Sequence, residues 1–273
     1  MMKAAVFVLI FGAVATEGFL FGGEKWDDLK VTWGVNPLNS YHSMPRTVKD
    51  ADAAGWKLEK SCGEVNGDRY ILEDDPAVLL VFNAEGNIGG IATKVPKGLD
   101  FPAGESAKYF QDEGDEYYTM TVYFQDPKTV CTGARRSKRL ATGDALVISQ
   151  DKVYMTVPLD ESDMEFNKEW TKGGCFYTMG RHYWLSGAGG VKEDTKADEL
   201  APIFLLYNEG QLNGFGFVLN ANLESPRYEH PPKEALGVFF ANGTPKFLSE
   251  AAKSSGLTTM HVYLDSTPLL NFC

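Results

Sequence analysis

Metal-binding and redox motifs are scarce in these 273 residues: four cysteines and four histidines are present, and none carries such a spacing. No C-x-x-C occurs, so neither a zinc ribbon nor a thioredoxin-type redox site is indicated. H-x-H and H-E-x-x-H are missing as well. The glycine-rich stretch Ser186–Gly190 is neither a P-loop nor a nucleophile elbow. Acidic runs at Glu73–Asp75 and Asp112–Glu116 lack EF-hand spacing and read as solvated turns. Positive charge is short too. Lys and Arg number 26 against 37 Asp and Glu, a net charge of −11 that argues against general nucleic-acid binding. Beyond the N-terminus no apolar run is long enough to cross a bilayer, so no membrane span is expected in the mature chain.

The composition that remains is that of a folded protein. Apolar residues make up 44% and charged residues 23%, and 17 Phe, 12 Tyr and 5 Trp supply a large core. At the N-terminus, Lys3 precedes the apolar stretch Ala4–Ala15, with the small pair Ala13 and Ala15, and Glu17 follows. This predicts a secretory signal peptide over residues 1–15 and an extracellular location. Secretion favours disulfides among the cysteines. It also makes Asn242, in the sequon Asn242-Gly-Thr244, a glycosylation candidate.

Two halves of the chain resemble one another. Ala77–Gly90 matches Ala201–Gly214, and Thr119–Phe124 matches Thr259–Leu264. Between these blocks Pro102 with Glu105–Lys108 answers Pro245 with Glu250–Lys253. An internal duplication is predicted, with a first half at 16–134, a basic loop at 135–140 and a second half at 141–273. One cysteine precedes each hairpin and one follows each Thr-Met-x-Val-Tyr strand. The expected bonds are Cys62–Cys131 and Cys175–Cys273, each worth on the order of 4–5 kcal/mol by loop-closure entropy. The loop contains Arg136-Ser-Lys-Arg139, which looks like a furin-type site cut after Arg139; a solvated basic loop is the plainer reading.

Continuous apolar runs at Val78–Phe82 and Ile203–Tyr207 predict strands buried on both faces. Alternation at Met120, Val122 and Phe124 predicts a strand with one face on the core. Short helices are expected near Pro102–Phe110 and Pro245–Ser254. The fold class is therefore a strand-rich α+β protein of two duplicated halves. Each half runs hairpin, short helix, strand and carries one disulfide.

Three of the four histidines fall in the second half. Period two sets His261 and Tyr263 on the face opposite Met260 and Val262, and sets His182 beside Trp184. Thr121 stands where the first half would have His261. Aromatic residues crowd the same half. His182, Tyr183, Trp184, Tyr228, His261 and Tyr263 are thus the candidates for lining a pocket that takes a small organic molecule. His182, His230 and His261, with Glu229 as a further donor, are the candidates for holding Zn, Cu or Fe. Separately hydrogen-bonded histidines are the alternative to both.

The blocks Met179-Gly-x-His-Tyr-Trp184, Pro202-x-Phe-Leu-Leu-Tyr-Asn208, Arg227-Tyr-Glu-His-Pro231 and Thr259-Met-His-Val-Tyr263 together resemble a group of secreted invertebrate proteins. That group has no assigned function, and it brings no catalytic residues to carry over. The resemblance does place all three histidines within its signature blocks. Three functions follow as expectations. The first is extracellular binding of a small ligand in an aromatic and histidine-lined pocket of the second half. The others are a secreted metal-dependent enzyme, such as an oxidoreductase, and a structural protein of matrix or mucus.

Overall fold

The computed structural model describes residues 26–133, 141–151, 153–187, 189–254 and 256–273. The predicted signal peptide and the basic loop with Arg139 lie outside the described residues. The chain opens with two short strands, β1 (Lys30–Val31) and β2 (His42–Ser43), then a short helix, α1 (Val48–Ala53). Next come β3 (Lys57–Lys60), β4 (Asp68–Ile71), β5 (Leu79–Phe82), β6 (Ile88–Pro96), β7 (Gln111–Glu113) and β8 (Tyr117–Tyr123). After the basic loop follow β9 (Leu146–Gln150), β10 (Val153–Val157), β11 (Trp170–Phe176), β12 (Gly180–Ser186), β13 (Leu200–Asn208) and β14 (Gln211–Leu219). Two helices, α2 (Lys233–Leu236) and α3 (Lys246–Lys253), precede β15 (Thr258–Tyr263).

Two antiparallel sheets result. Sheet I has the order β10-β9-β8-β6-β5-β4-β3, with β7 added on β8, and sheet II the order β11-β12-β13-β14-β15-β1-β2. The sheets do not divide at residues 135–140. Sheet I is completed by β9 and β10, which follow the loop, while sheet II is completed by β1 and β2 from the beginning of the chain. Each half of the chain thus gives its first two strands to the other half's sheet.

The sheets pack face to face. Leu80, Phe82, Met120 and Val122 of sheet I meet Leu205, Tyr207, Phe217 and Val262 of sheet II in one core. Phe124 and Phe215 touch across it, with ring centroids 6.3 Å apart. Burying a side chain of this size contributes about 1.5–3 kcal/mol, and the apolar runs of β5 and β13 are buried on both faces. A 3-10 turn at Gly104–Tyr109 and α3 occupy the two predicted helical segments. Cys62–Cys131 and Cys175–Cys273 are both bonded, and no cysteine is free. Among the described residues no helix is long and apolar enough to cross a membrane.

Candidate functional site

The outward face of sheet II is apolar and is covered by the chain between β14 and β15. Leu236, Phe240, Leu248 and Leu257 of that cover pack on Trp184, Phe204 and Val218. The cover comes close because β11 carries Gly173 and Gly174. The Gly174 amide donates to the Phe239 carbonyl at 3.0 Å, and a Cβ at Gly174 would fall 1.8 Å from the Val238 carbonyl oxygen. Any side chain there would push the cover away. On β14, Gly216 lies opposite Phe204. A Cβ on it would fall 2.1 Å from Phe204 Cζ, so the ring rests on bare backbone.

Cover and sheet enclose a cavity of about 360 Å³. His182, Trp184, Phe204 and His261 form its sheet side, and Leu236, Phe239 and Phe240 the cover side. Thr32 to Val35, just after β1, form a further wall. The imidazole of His182 stacks with Trp184 at a centroid distance of 5.9 Å and meets His261 edge-on at 6.2 Å. The Trp184 indole donates to the Phe239 carbonyl at 2.8 Å, and its ring stacks on Phe240 at 4.3 Å. A larger groove of about 760 Å³ beside α1 is more open and mixed in character, lined by Asp28, Arg46 and Arg227 as well as Met44, Trp56 and Leu72. Its cations already have partners, Arg46 with Asp28 and Arg227 with Asp75.

Within the apolar cavity one polar device stands out. The Glu229 carboxylate accepts from His261 Nδ1 at 2.5 Å and Thr259 Oγ1 at 3.1 Å. It also accepts from the backbone amides of Trp33 at 2.6 Å and His261 at 3.2 Å. Burial works to raise this carboxyl, but the pull of His261 and the donated hydrogen bonds hold it below the ordinary carboxylate range. The Glu229 carboxylate therefore fixes His261 through Nδ1 and turns Nε2 to the other side, a second-partner arrangement that sets tautomer and ring orientation. His261 Nε2 is buried without a hydrogen-bond partner, and so is His182 Nδ1. Burial, with a smaller contribution from His261, pushes His182 down to about 3, so it is neutral at physiological pH. Leaving a buried polar atom unpaired costs about 1–3 kcal/mol. Here two such atoms belong to rings whose centroids are 6.2 Å apart.

Four of the six residues expected to line a pocket do so: His182, Trp184, Tyr228 and His261. Tyr228 also reaches inward, its hydroxyl 3.0 Å from Thr93 Oγ1 of sheet I. Tyr183 faces the inter-sheet core instead and donates to Glu161 Oε1 at 2.9 Å, because period two sends it to the side opposite His182. Tyr263 shares the face of His261 but stands behind it, packed on Tyr41 at 5.4 Å rather than on the cavity. His230 sits at the rim, exposed, with Nδ1 3.1 Å from the Leu257 carbonyl. Although His182, His230 and His261 all touch the cavity, no three His, Cys, Asp or Glu side chains among the described residues are grouped to hold a metal ion. The second half does not build the site alone, since Trp33 and its neighbours come from the start of the chain. A local signal for them exists: Asp27-x-Leu29-x-Val31 is repeated as Asp144-x-Leu146-x-Ile148, marking both exchanged strands. Asn242 is exposed in the turn between α2 and α3.

No family model, curated protein or solved structure matches this chain. The site has to be read from its own geometry.

Proposed function

We propose that this is a secreted, extracellular binding protein that takes a small, mainly apolar organic ligand into the cavity on sheet II. The observation that carries the reading is an aromatic-walled cavity of about 360 Å³, in the size range of small-molecule sites, whose few polar groups converge at its sheet side. Two disulfides and the absence of a membrane-crossing helix among the described residues are compatible with an extracellular chain. The apolar leader and the Asn242 sequon support the same location.

We also read the chain as an internal duplication. Supporting this are the matching strand orders and the reciprocal exchange of two strands. A register shift occurs at Val81/Phe82 in one hairpin and at Leu206/Tyr207 in the other. Gly90 stands opposite Tyr123 as Gly214 stands opposite Tyr263. On this reading one ancestral sandwich half was copied, and only the copy ending in β15 turned its outer face into a container.

Trp33 and Trp184 line the cavity, so occupancy has an intrinsic reporter. Titration of the purified protein with N-phenyl-1-naphthylamine, a neutral apolar dye, is expected to give saturable dye fluorescence and tryptophan quenching at one equivalent. Ala235→Trp, which fills the cavity from α2, should abolish both while leaving thermal unfolding within about 1 kcal/mol of the parent. A dye signal that never saturates, or that survives in A235W, overturns the proposal.

A further inference from the structure

Apolar walls would accept any hydrocarbon of the right size, but two buried nitrogens in the wall of this cavity lack partners. His261 Nε2 and His182 Nδ1 are both buried and unpartnered, on rings 6.2 Å apart, and both residues line the cavity. Resting on the binding function proposed above, we infer that the cavity selects a neutral apolar molecule bearing a hydroxyl, an alcohol or a phenol, with His261 and His182 as its specificity-determining residues.

The choice of hydroxyl follows from charge and from hydrogen-bonding capacity. Glu229 already places one carboxylate against His261, held in the ionised form by four donors. A second carboxylate, from a fatty acid, would add a like charge in a buried apolar space with no Lys or Arg among the lining residues. A hydrocarbon would leave both nitrogens unmet. An ether oxygen only accepts, so it satisfies a ring N–H but never a ring lone pair. A hydroxyl donates and accepts at once. With Glu229 holding the hydrogen on His261 Nδ1, the lone pair of His261 Nε2 takes the hydroxyl's proton, and the hydroxyl oxygen accepts from His182 Nδ1 in the tautomer that carries hydrogen there. Sites that hydrogen-bond a hydroxyl reject analogues lacking it because their own buried groups are then stranded. Trp184, stacked on His182 at a centroid distance of 5.9 Å, and the Glu229 contact together keep both rings from swinging away.

Competition against bound N-phenyl-1-naphthylamine tests this on the full secreted chain, using decanol, its methyl ether and decanoate as probes. Decanol is expected to displace the dye at concentrations at least about tenfold below the ether and decanoate, one stranded hydrogen bond being worth roughly that factor. His261→Phe and His182→Phe, each checked for retained dye binding, should bring the three probes to within about twofold of one another. Equal displacement by all three in the parent protein, or a decanoate preference, overturns the selectivity while leaving the binding cavity standing. Failure of the dye to bind at all overturns both. Should either variant fail to fold, the ranking of probes on the parent protein and on the other variant still decides.

Discussion

The outward faces of the two sheets bury comparable positions by opposite means. On sheet I, Arg69 lies opposite Val81, next to the hairpin's register shift; on sheet II, His182 lies opposite Leu206, also next to one. Arg69 is 2% exposed and His182 1%. Arg69 forks onto Glu113 with two bonds of 2.6 Å and reaches Glu59 at 2.6 Å. Lys60 joins Glu113 at 3.0 Å, and Lys94 pairs with Glu59. Every charge in this group is answered by the protein. His182 is neutral, has an unanswered nitrogen, and lines the cavity. A buried polar group that is fully partnered closes a surface; one left without a partner beside a void is a capacity for binding.

The sharpest way to break this comparison is to remove the two residues in turn. Arg69→Ala takes the guanidinium from between Glu59 and Glu113, leaving each buried carboxylate only its lysine, and should cost about 3 kcal/mol in urea unfolding. His182→Phe should change stability by less than about 1 kcal/mol, since it replaces an unsatisfied ring with a somewhat larger apolar one beside a cavity that can take the added volume. Comparable costs for the two would mean that His182 is as firmly built in as Arg69.

Acid should act on the faces in different windows. The folded-state value of His182 is depressed from 6.5 to about 3, so the folded protein binds fewer protons than the unfolded chain. Its contribution is therefore complete above pH 6.5 and is lost as pH falls toward 3, on the order of 4 kcal/mol across that range. Burial works to raise Glu113, but Arg69 and Lys60 outweigh it and hold the carboxyl down to about 2, from 4.5. Its stabilisation is present above pH 4.5 and disappears as pH falls through 2. Urea midpoints measured between pH 6.5 and 4.5 should thus fall in the parent and stay flatter in His182→Phe. A parallel fall in both would assign the acid sensitivity elsewhere.

The smallest effect concerns the floor of the cavity. Gly216 faces Phe204, whereas sheet I has Ala92 facing Leu79 in the corresponding pair. Gly216→Ala should lift the Phe204 ring into the cavity and weaken dye binding several-fold, with about 1 kcal/mol or less lost from folding. Unchanged affinity would show that Phe204 is not seated as described.

Much of this architecture could be read locally. The apolar runs of β5 and β13, the short helical segments after Pro102 and Pro245, and the pairing of the cysteines all follow from patterns of a few residues or from the matched order of the two halves. Period two correctly joined His182 to Trp184, and the same rule sends Tyr183 away from them. In the sequence Glu229 stands out only as a further metal donor beside His230, not as the partner of His261. Its bond to His261 spans 32 residues, and its bond to the Trp33 amide spans 196. No local periodicity carries such distances.

Alternation and apolar content, then, determined by themselves which side chains turn to the same side of each strand, since a strand's geometry is a property of neighbouring residues. They also implied that both faces of β5 and β13 are buried. What covers each face was decided only in three dimensions. The exchange of β1–β2 and β9–β10, the close approach of residues 237–240 over Gly174, and the void left between cover and sheet depend on contacts among distant segments. A hydrophobic pattern records that a surface leaves water, and it is silent on whether protein fills the space beyond it. Dense packing over a face and a cavity over it are both compatible with the same pattern, and the difference lies in the fit of the elements that close over it.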